Sequence, residues 1–127
     1  MADKTVAFIC THNSCRSQMA EALAKRAGYQ GYQFYSAGSV PKEQIDQDAV
    51  RILKEKFKID MRSQYPKTIR DIPAPDIAIS MGCGVKCPFI GRDFDDDWEL
   101  EDPTGKPDEE YLKVIGQIQE QLKRRFG

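Results

Sequence analysis

Net charge is almost missing from this sequence: 19 lysines and arginines stand against 20 aspartates and glutamates, leaving −1. That balance gives no general attraction for nucleic acid or for an anionic membrane surface. Long apolar runs are missing too, none approaching the ~20 residues that span a bilayer. No signal peptide is legible ahead of the first apolar stretch, so a cytoplasmic protein is expected. Internal repeats, low-complexity segments and linkers are also lacking, and the length predicts one domain over 1–127, large enough to bury a core. Histidine is reduced to His12 alone. Four cysteines are present, and in a cytosolic chain they argue against a disulfide framework and for metal binding or catalysis.

One stretch organises the rest: Ile9-Cys10-Thr11-His12-Asn13-Ser14-Cys15-Arg16-Ser17-Gln18. The run before it, Thr5 to Ile9, is short, uncharged and rich in branched and aromatic residues, as a buried strand is. The run after it, Ser17 to Ala27, is dense in helix formers and ends at Gly28. Further along, Tyr32–Ser36 reads as a second strand, 46–57 as an amphipathic helix, and Asp76–Met81 as a third buried strand. Trp98 and Leu100 hint at a short fourth strand. Pro107-Asp108 opens a last helix whose apolar face is Tyr111, Ile115, Ile118, Leu122 and Phe126. Alternating strands and helices imply a parallel sheet covered on both faces. Ligands bind beyond the carboxyl ends of such strands, where the Cys10 loop, Ser36-Ala37-Gly38 and Met81-Gly82-Cys83 should meet.

Cys10 thus closes a strand and Arg16 opens a helix, with five residues between them. The thiolate, not the thiol, is the nucleophile. A helix N-terminus, unpaired backbone N–H groups and an arginine all favour the anion, and the same donors suit a tetrahedral oxyanion, with Arg16 gripping two oxygens. The residues expected to line that cradle are Thr11, His12, Asn13, Ser14, Cys15 and Arg16. Ser17 is placed to donate its hydroxyl to the Cys10 sulfur, and Asn13 tolerates the positive φ of a tight loop. His12 either shapes the loop and adds positive charge or simply faces solvent. The competing reading is a strand-to-helix turn that happens to contain cysteine and arginine.

Cys83 and Cys87 form a second pair in Met81-Gly82-Cys83-Gly84-Val85-Lys86-Cys87-Pro88. Zinc pairs have comparable spacings, but with Cys10 committed to an anion site no metal is expected. Two buried thiols are another reading. The spacing favours a redox pair: on a helical turn the two Cβ atoms would lie ~5–6 Å apart, whereas a disulfide wants ~3.5–4.5 Å. Bonding therefore needs the turn to unwind, which Gly82 and Gly84 ease and Pro88 encourages.

Cys10 to Ser17 resembles the anion loop of the low-molecular-weight tyrosine phosphatase superfamily. Continuing into Gln18-Met19-Ala20-Glu21, it is similar to that superfamily's arsenate reductase branch, since the phosphatases usually carry proline where Gln18 stands. Ser36-Ala37-Gly38 and Asp102-Pro103 match further family markers, so the resemblance covers essentially the whole chain. It implies a four-stranded parallel sheet in the order 2-1-3-4 flanked by helices. It also implies a thiol relay without a cofactor: Cys10 attacks arsenate, Cys83 attacks Cys10 and releases arsenite, and Cys87 attacks Cys83. The resulting disulfide would go to thioredoxin, glutaredoxin or a low-molecular-weight thiol. Cys15 has neither role; it packs under the loop or forms a protective disulfide with Cys10.

The family places the proton for the departing hydroxide on the aspartate of its Asp-Pro pair, which is Asp102 here. A carboxylate beside a negatively charged oxyanion is expected to have a raised pKa, as a general acid requires. Some family reductases also hold potassium through residues matching Asn13, Glu21 and Ser36, but the remaining acidic ligand falls near Lys67, whose ammonium repels a cation or replaces it. The rivals are a tyrosine phosphatase needing only Cys10, Arg16 and Asp102, and a non-catalytic oxyanion-binding or redox-sensing module. Against the phosphatase stands Thr104-Gly105 after Asp102-Pro103, where those enzymes often carry tyrosines.

Overall fold

The computed structural model describes residues 3–82 and 93–127. The sheet is built around β1 (Lys4–Cys10), in which Val6 to Cys10 are all buried. Its branched and aromatic side chains suit a pleated surface packed on both faces. On one side β1 pairs in parallel with β2 (Tyr32–Gly38), on the other with β3 (Ile77–Ser80), and β3 pairs with β4 (Asp96–Asp97). The order is β2-β1-β3-β4, the four-stranded parallel α/β arrangement that the family resemblance implies.

Side chains alternate across β1, and its two faces meet different partners. Val6, Phe8 and Cys10 enter the larger core with α1 (Arg16–Ala27), α2 (Gln47–Phe57) and α3 (Asp108–Phe126). Phe8 stacks on Phe34 and touches Trp98, with ring centroids 5.9 and 5.5 Å away. Ala7 and Ile9 face the other way, under Ile69, Ile72 and Phe94, where a 3-10 turn (Ile69–Asp71) supplies the cover. Among the described residues, the three α-helices share that larger core.

Helix ends follow their chemistry. Gly28 caps α1 in the left-handed region at φ 71°. Asp46 caps α2 by accepting from the Asp48 N–H at 3.0 Å. In α3 the first turn is acidic and the last basic, as the helix dipole favours.

The fourth strand differs from expectation. It is Asp96–Asp97, just before the predicted Trp98 and Leu100. Trp98 N–H still reaches the Ser80 carbonyl at 2.9 Å and Leu100 N–H reaches that of Met81 at 3.2 Å. These bonds carry 98–100 alongside the end of β3 and bring 99–102 to the carboxyl edge.

Gly38 ends β2 against the loop after β1. A Cβ there would sit 2.6 Å from the Thr11 carbonyl oxygen and 2.7 Å from that of Cys10. Both obstacles are backbone, so the loop itself would have to shift. Gly38→Ala is expected to cost about 1–3 kcal/mol as overpacking does, read from urea unfolding midpoints, with loss of any loop-dependent activity.

Candidate active site

Residues 11–15 form a loop whose carbonyls are held from outside. Thr11, His12 and Ser14 accept from the N–H groups of Val40, Lys42 and Asp46 at 2.9, 3.1 and 2.9 Å, and Asn13 accepts from Gln18 Nε2 at 3.1 Å. In a planar trans peptide the following N–H points opposite to its carbonyl. Anchoring the carbonyls outward therefore turns the N–H groups of 12–15 towards the concave side. That side is an open cavity of about 880 Å³, lined by Cys10, Thr11, His12, Ser14, Cys15 and Arg16 on the loop and by Gly82, Leu100 and Asp102 across from it. His12 lies exposed on the rim, its Nδ1 3.1 Å from the Val40 carbonyl. A carbonyl only accepts, so Nδ1 carries the proton there.

Behind the loop, bond directions can be assigned. Asn13 is fully buried at φ 48°, and its Oδ1 accepts from the Lys67 backbone N–H and from Gln18 Nε2, both at 2.9 Å. A backbone N–H is an obligatory donor, so the facing amide atom is oxygen and Nδ2 is the nitrogen. Nδ2 donates to Ser17 Oγ at 2.9 Å. Ser17 Oγ thus accepts from behind and lies 2.9 Å from Cys10 Sγ in front, leaving its proton for the sulfur. That arrangement serves a thiolate. The Asn13 side chain consequently faces away from the cavity, and of the predicted cradle residues it supports the sulfur rather than lining the anion side.

Arg16, at the first position of α1, sends Nη1 to the carbonyls of Met81 at 2.9 Å and Leu100 at 2.7 Å. Both N–H groups of Nη1 are spent this way, so a bidentate grip on an oxyanion falls to Nε and Nη2. The same two bonds clamp the end of β3 to segment 99–102. Gly82 is required at this junction: its φ is 99° and a Cβ would meet Leu100 N at 2.7 Å. Cys83 and Cys87 lie outside the described residues.

Asp102 lines the cavity, and its neighbours set its acidity. Burial, the largest influence, raises its pKa, yet hydrogen bonds from the Thr104 hydroxyl and N–H outweigh it, together with the charges of Arg16 and Lys42. Those bonds measure 2.6 and 3.1 Å. The net shift is downward, so the carboxyl stands ionised in this state. The raised value expected of Asp102 belongs to the state with an oxyanion beside it.

The second loop thiol has the reverse environment. Cys15 is 4% exposed, and burial first, then the charges of Asp46 and Asp102, pushes its thiol far up. Asp46 also accepts from the Tyr111 hydroxyl, which burial and Asp46 together hold protonated. Cys10 and Cys15 are both unbonded thiols. Cys10 faces the Ser17 hydroxyl, whereas burial and the carboxylates around Cys15 outweigh the one opposing hydrogen bond, from Thr104.

Glu21, Ser36 and Lys67 meet beneath the loop. Lys67 Nζ lies 3.4 Å from Glu21 Oε1, 3.5 Å from Ser36 Oγ and 3.3 Å from the Tyr65 carbonyl. The ammonium takes the centre of this oxygen cluster, so these residues do not fit the potassium ion that the resemblance suggests. Sequence reasoning missed the Asp46–Tyr111 pair under Cys15 and the link from Asn13 to Lys67, because both depend on segments distant in the chain. The Thr104 contacts had a local signal, since an aspartate side chain commonly accepts from the N–H two residues on.

Two outcomes follow from these environments. Iodoacetamide at neutral pH should alkylate Cys10 and leave Cys15 unmodified, as read by peptide mass. Asp102 has a depressed folded pKa, so its contribution to stability is present above the ordinary value of about 3.9 and is lost as pH falls through the folded one. Unfolding midpoints of Asp102→Asn should therefore lie below wild type at neutral pH and converge with it in acid.

A family model described as low molecular weight phosphotyrosine protein phosphatase matches residues 5–126. The chain is 36% identical over 124 residues to the glutaredoxin arsenate reductase of a Synechocystis species, across 94% of this chain and 93% of that one. A solved structure described as an arsenate reductase in the phosphate binding state is similar at a TM-score of 0.82 and 36% identity, over 95% of each chain. The thioredoxin-dependent arsenate reductase of Corynebacterium glutamicum is similar at a TM-score of 0.72 and 33% identity, over 97% of this chain and 62% of its own. Among the described residues no helix is long and apolar enough to cross a membrane. With its fold, loop and matched length in agreement, the chain belongs to the low molecular weight phosphotyrosine protein phosphatase family.

Proposed function

We propose that this protein is an arsenate reductase in which Cys10, Cys83 and Cys87 pass an oxidation from arsenic to an external thiol reductant. The observation that carries the reading is the hydroxyl of Ser17, braced by Asn13 and lying against the Cys10 sulfur, in a cavity that Gly82, the residue before Cys83, also lines. A thiolate held by a donor, facing turned-in N–H groups and a guanidinium, is suited to attack the centre of a tetrahedral oxyanion.

In the first step the Cys10 thiolate bonds to arsenic and a hydroxide departs as water. Asp102 supplies that proton: it stands ionised as described, and the negative charge of a bound oxyanion raises its pKa toward the acid form. Arg16 and the loop N–H groups carry the oxyanion charge. In the second step the Cys83 thiolate attacks the Cys10 sulfur, the S–As bond breaks, and its electron pair stays on arsenic, which leaves as arsenite. Cys87 then attacks Cys83 and returns Cys10 as thiolate. The Cys83–Cys87 disulfide is reduced by a dithiol of the thioredoxin or glutaredoxin class, the two dependences that the similar reductases carry in their descriptions. Thioredoxin, at roughly −270 mV, is a sufficient reductant.

A phosphatase needs only Cys10, Arg16 and Asp102, all of which border the same cavity. One variant separates the two activities. Cys83→Ser should end arsenite formation while hydrolysis of a chromogenic phosphate ester by Cys10 continues at the wild-type rate. Arsenite turnover at the wild-type rate in that variant would remove the relay.

A further inference from the structure

We propose that Lys67 is a positioning residue for Cys10, an internal cation that holds the sulfur's donor chain in place from 54 residues downstream of Asn13. The proposal rests on reading Cys10 as the attacking thiolate. Lys67 is only 8% exposed, unusual for lysine, and it is fixed at both ends. Its backbone N–H holds Asn13 Oδ1, and its carbonyl accepts from the Gly38 N–H at 2.9 Å, next to the loop. Its ammonium sits among Glu21 Oε1, Ser36 Oγ and the Tyr65 carbonyl, and over the Tyr65 ring at 5.2 Å.

Glu21 belongs to α1, the helix that carries Ser17, and is 3% exposed. Its Oε2 has the exposed Lys25 at 2.6 Å, and its Oε1 takes the Ser36 hydroxyl at 2.6 Å. Lys67 is the buried cation in this set, since Lys25 keeps 53% of its side chain in solvent. Removing the ammonium would leave a buried carboxylate short of countercharge. The 65–67 segment is then free to shift, and with it the N–H that orients the Asn13 amide. If that amide turns, Ser17 Oγ loses the donor behind it, and its proton need no longer point at sulfur. The cluster thus holds a fixed positive charge among buried oxygens.

The test follows Cys10 alkylation by iodoacetamide, read by peptide mass as the ratio of its rate at about pH 7 to that at about pH 9.5, which tracks the thiolate available near neutrality. Lys67→Met should lower this ratio several-fold, on the scale of losing a hydrogen bond to a charged group. Lys67→Arg should restore it. In a Ser17→Ala background the Lys67→Met change should have little further effect, because both act through one chain. Should Lys67→Met fail to fold, the charge-neutral pair Lys67→Met/Glu21→Gln replaces it and should show the same lowered ratio. A folded variant with the wild-type ratio, or an equal drop with and without Ser17, would overturn the proposal. Because the readout is alkylation and not arsenite, failure here is distinct from failure of the arsenate reductase reading.

Discussion

A single hydrogen bond sets the terms of this structure: Ser17 Oγ to Cys10 Sγ at 2.9 Å. Its direction matters more than its length. The proton goes to sulfur only because Asn13 Nδ2 already donates to the same oxygen, and Asn13 is turned that way only because Lys67 N–H and Gln18 claim its oxygen. The loop, the start of α1, the end of β2 and the 64–67 segment all serve that orientation. Gly38 permits the close approach, with backbone atoms where a Cβ would be.

The two loop thiols show how a short stretch of chain can separate chemistries. Cys10 ends a strand at the cavity floor and faces a hydroxyl donor. Cys15 precedes the helix, is buried, and faces Asp46 and Asp102. Donors favour the thiolate and acceptors favour the thiol, so of the two loop thiols an electrophile entering the cavity meets Cys10 as the nucleophile. Arg16 adds a mechanical role, binding the carbonyls of Met81 and Leu100 while facing the same cavity. An oxyanion there would engage a guanidinium already tied to the residue that precedes Gly82.

Much of this was legible from residue order. The apolar runs of β1 and β3 and the 3.6-residue spacing of α2 and α3 announce themselves, because burial dictates them. The cysteine-to-arginine loop is legible for the same reason: a strand end and a helix start are local. The fourth strand was misplaced because its two residues are aspartates, held by pairing with β3 rather than by any strand preference. The Asp-Pro pair marks Asp102 in the sequence, whereas the Thr104, Arg16 and Lys42 groups that hold its carboxyl ionised are brought to it by the fold. From residue order Lys67 either repels a cation or replaces one, and its contacts with Glu21 Oε1 and Ser36 Oγ favour replacement.

The most direct measurement of the central claim is a single turnover without external reductant. Fully reduced protein is mixed with excess arsenate, and arsenite and free thiols are counted together. The relay predicts one arsenite per chain, the loss of two thiols, and a disulfide joining the Cys83 and Cys87 peptides with Cys10 returned free. Arsenite absent and all four thiols intact, beside hydrolysis of a phosphate ester, would contradict it and leave the loop a phosphatase.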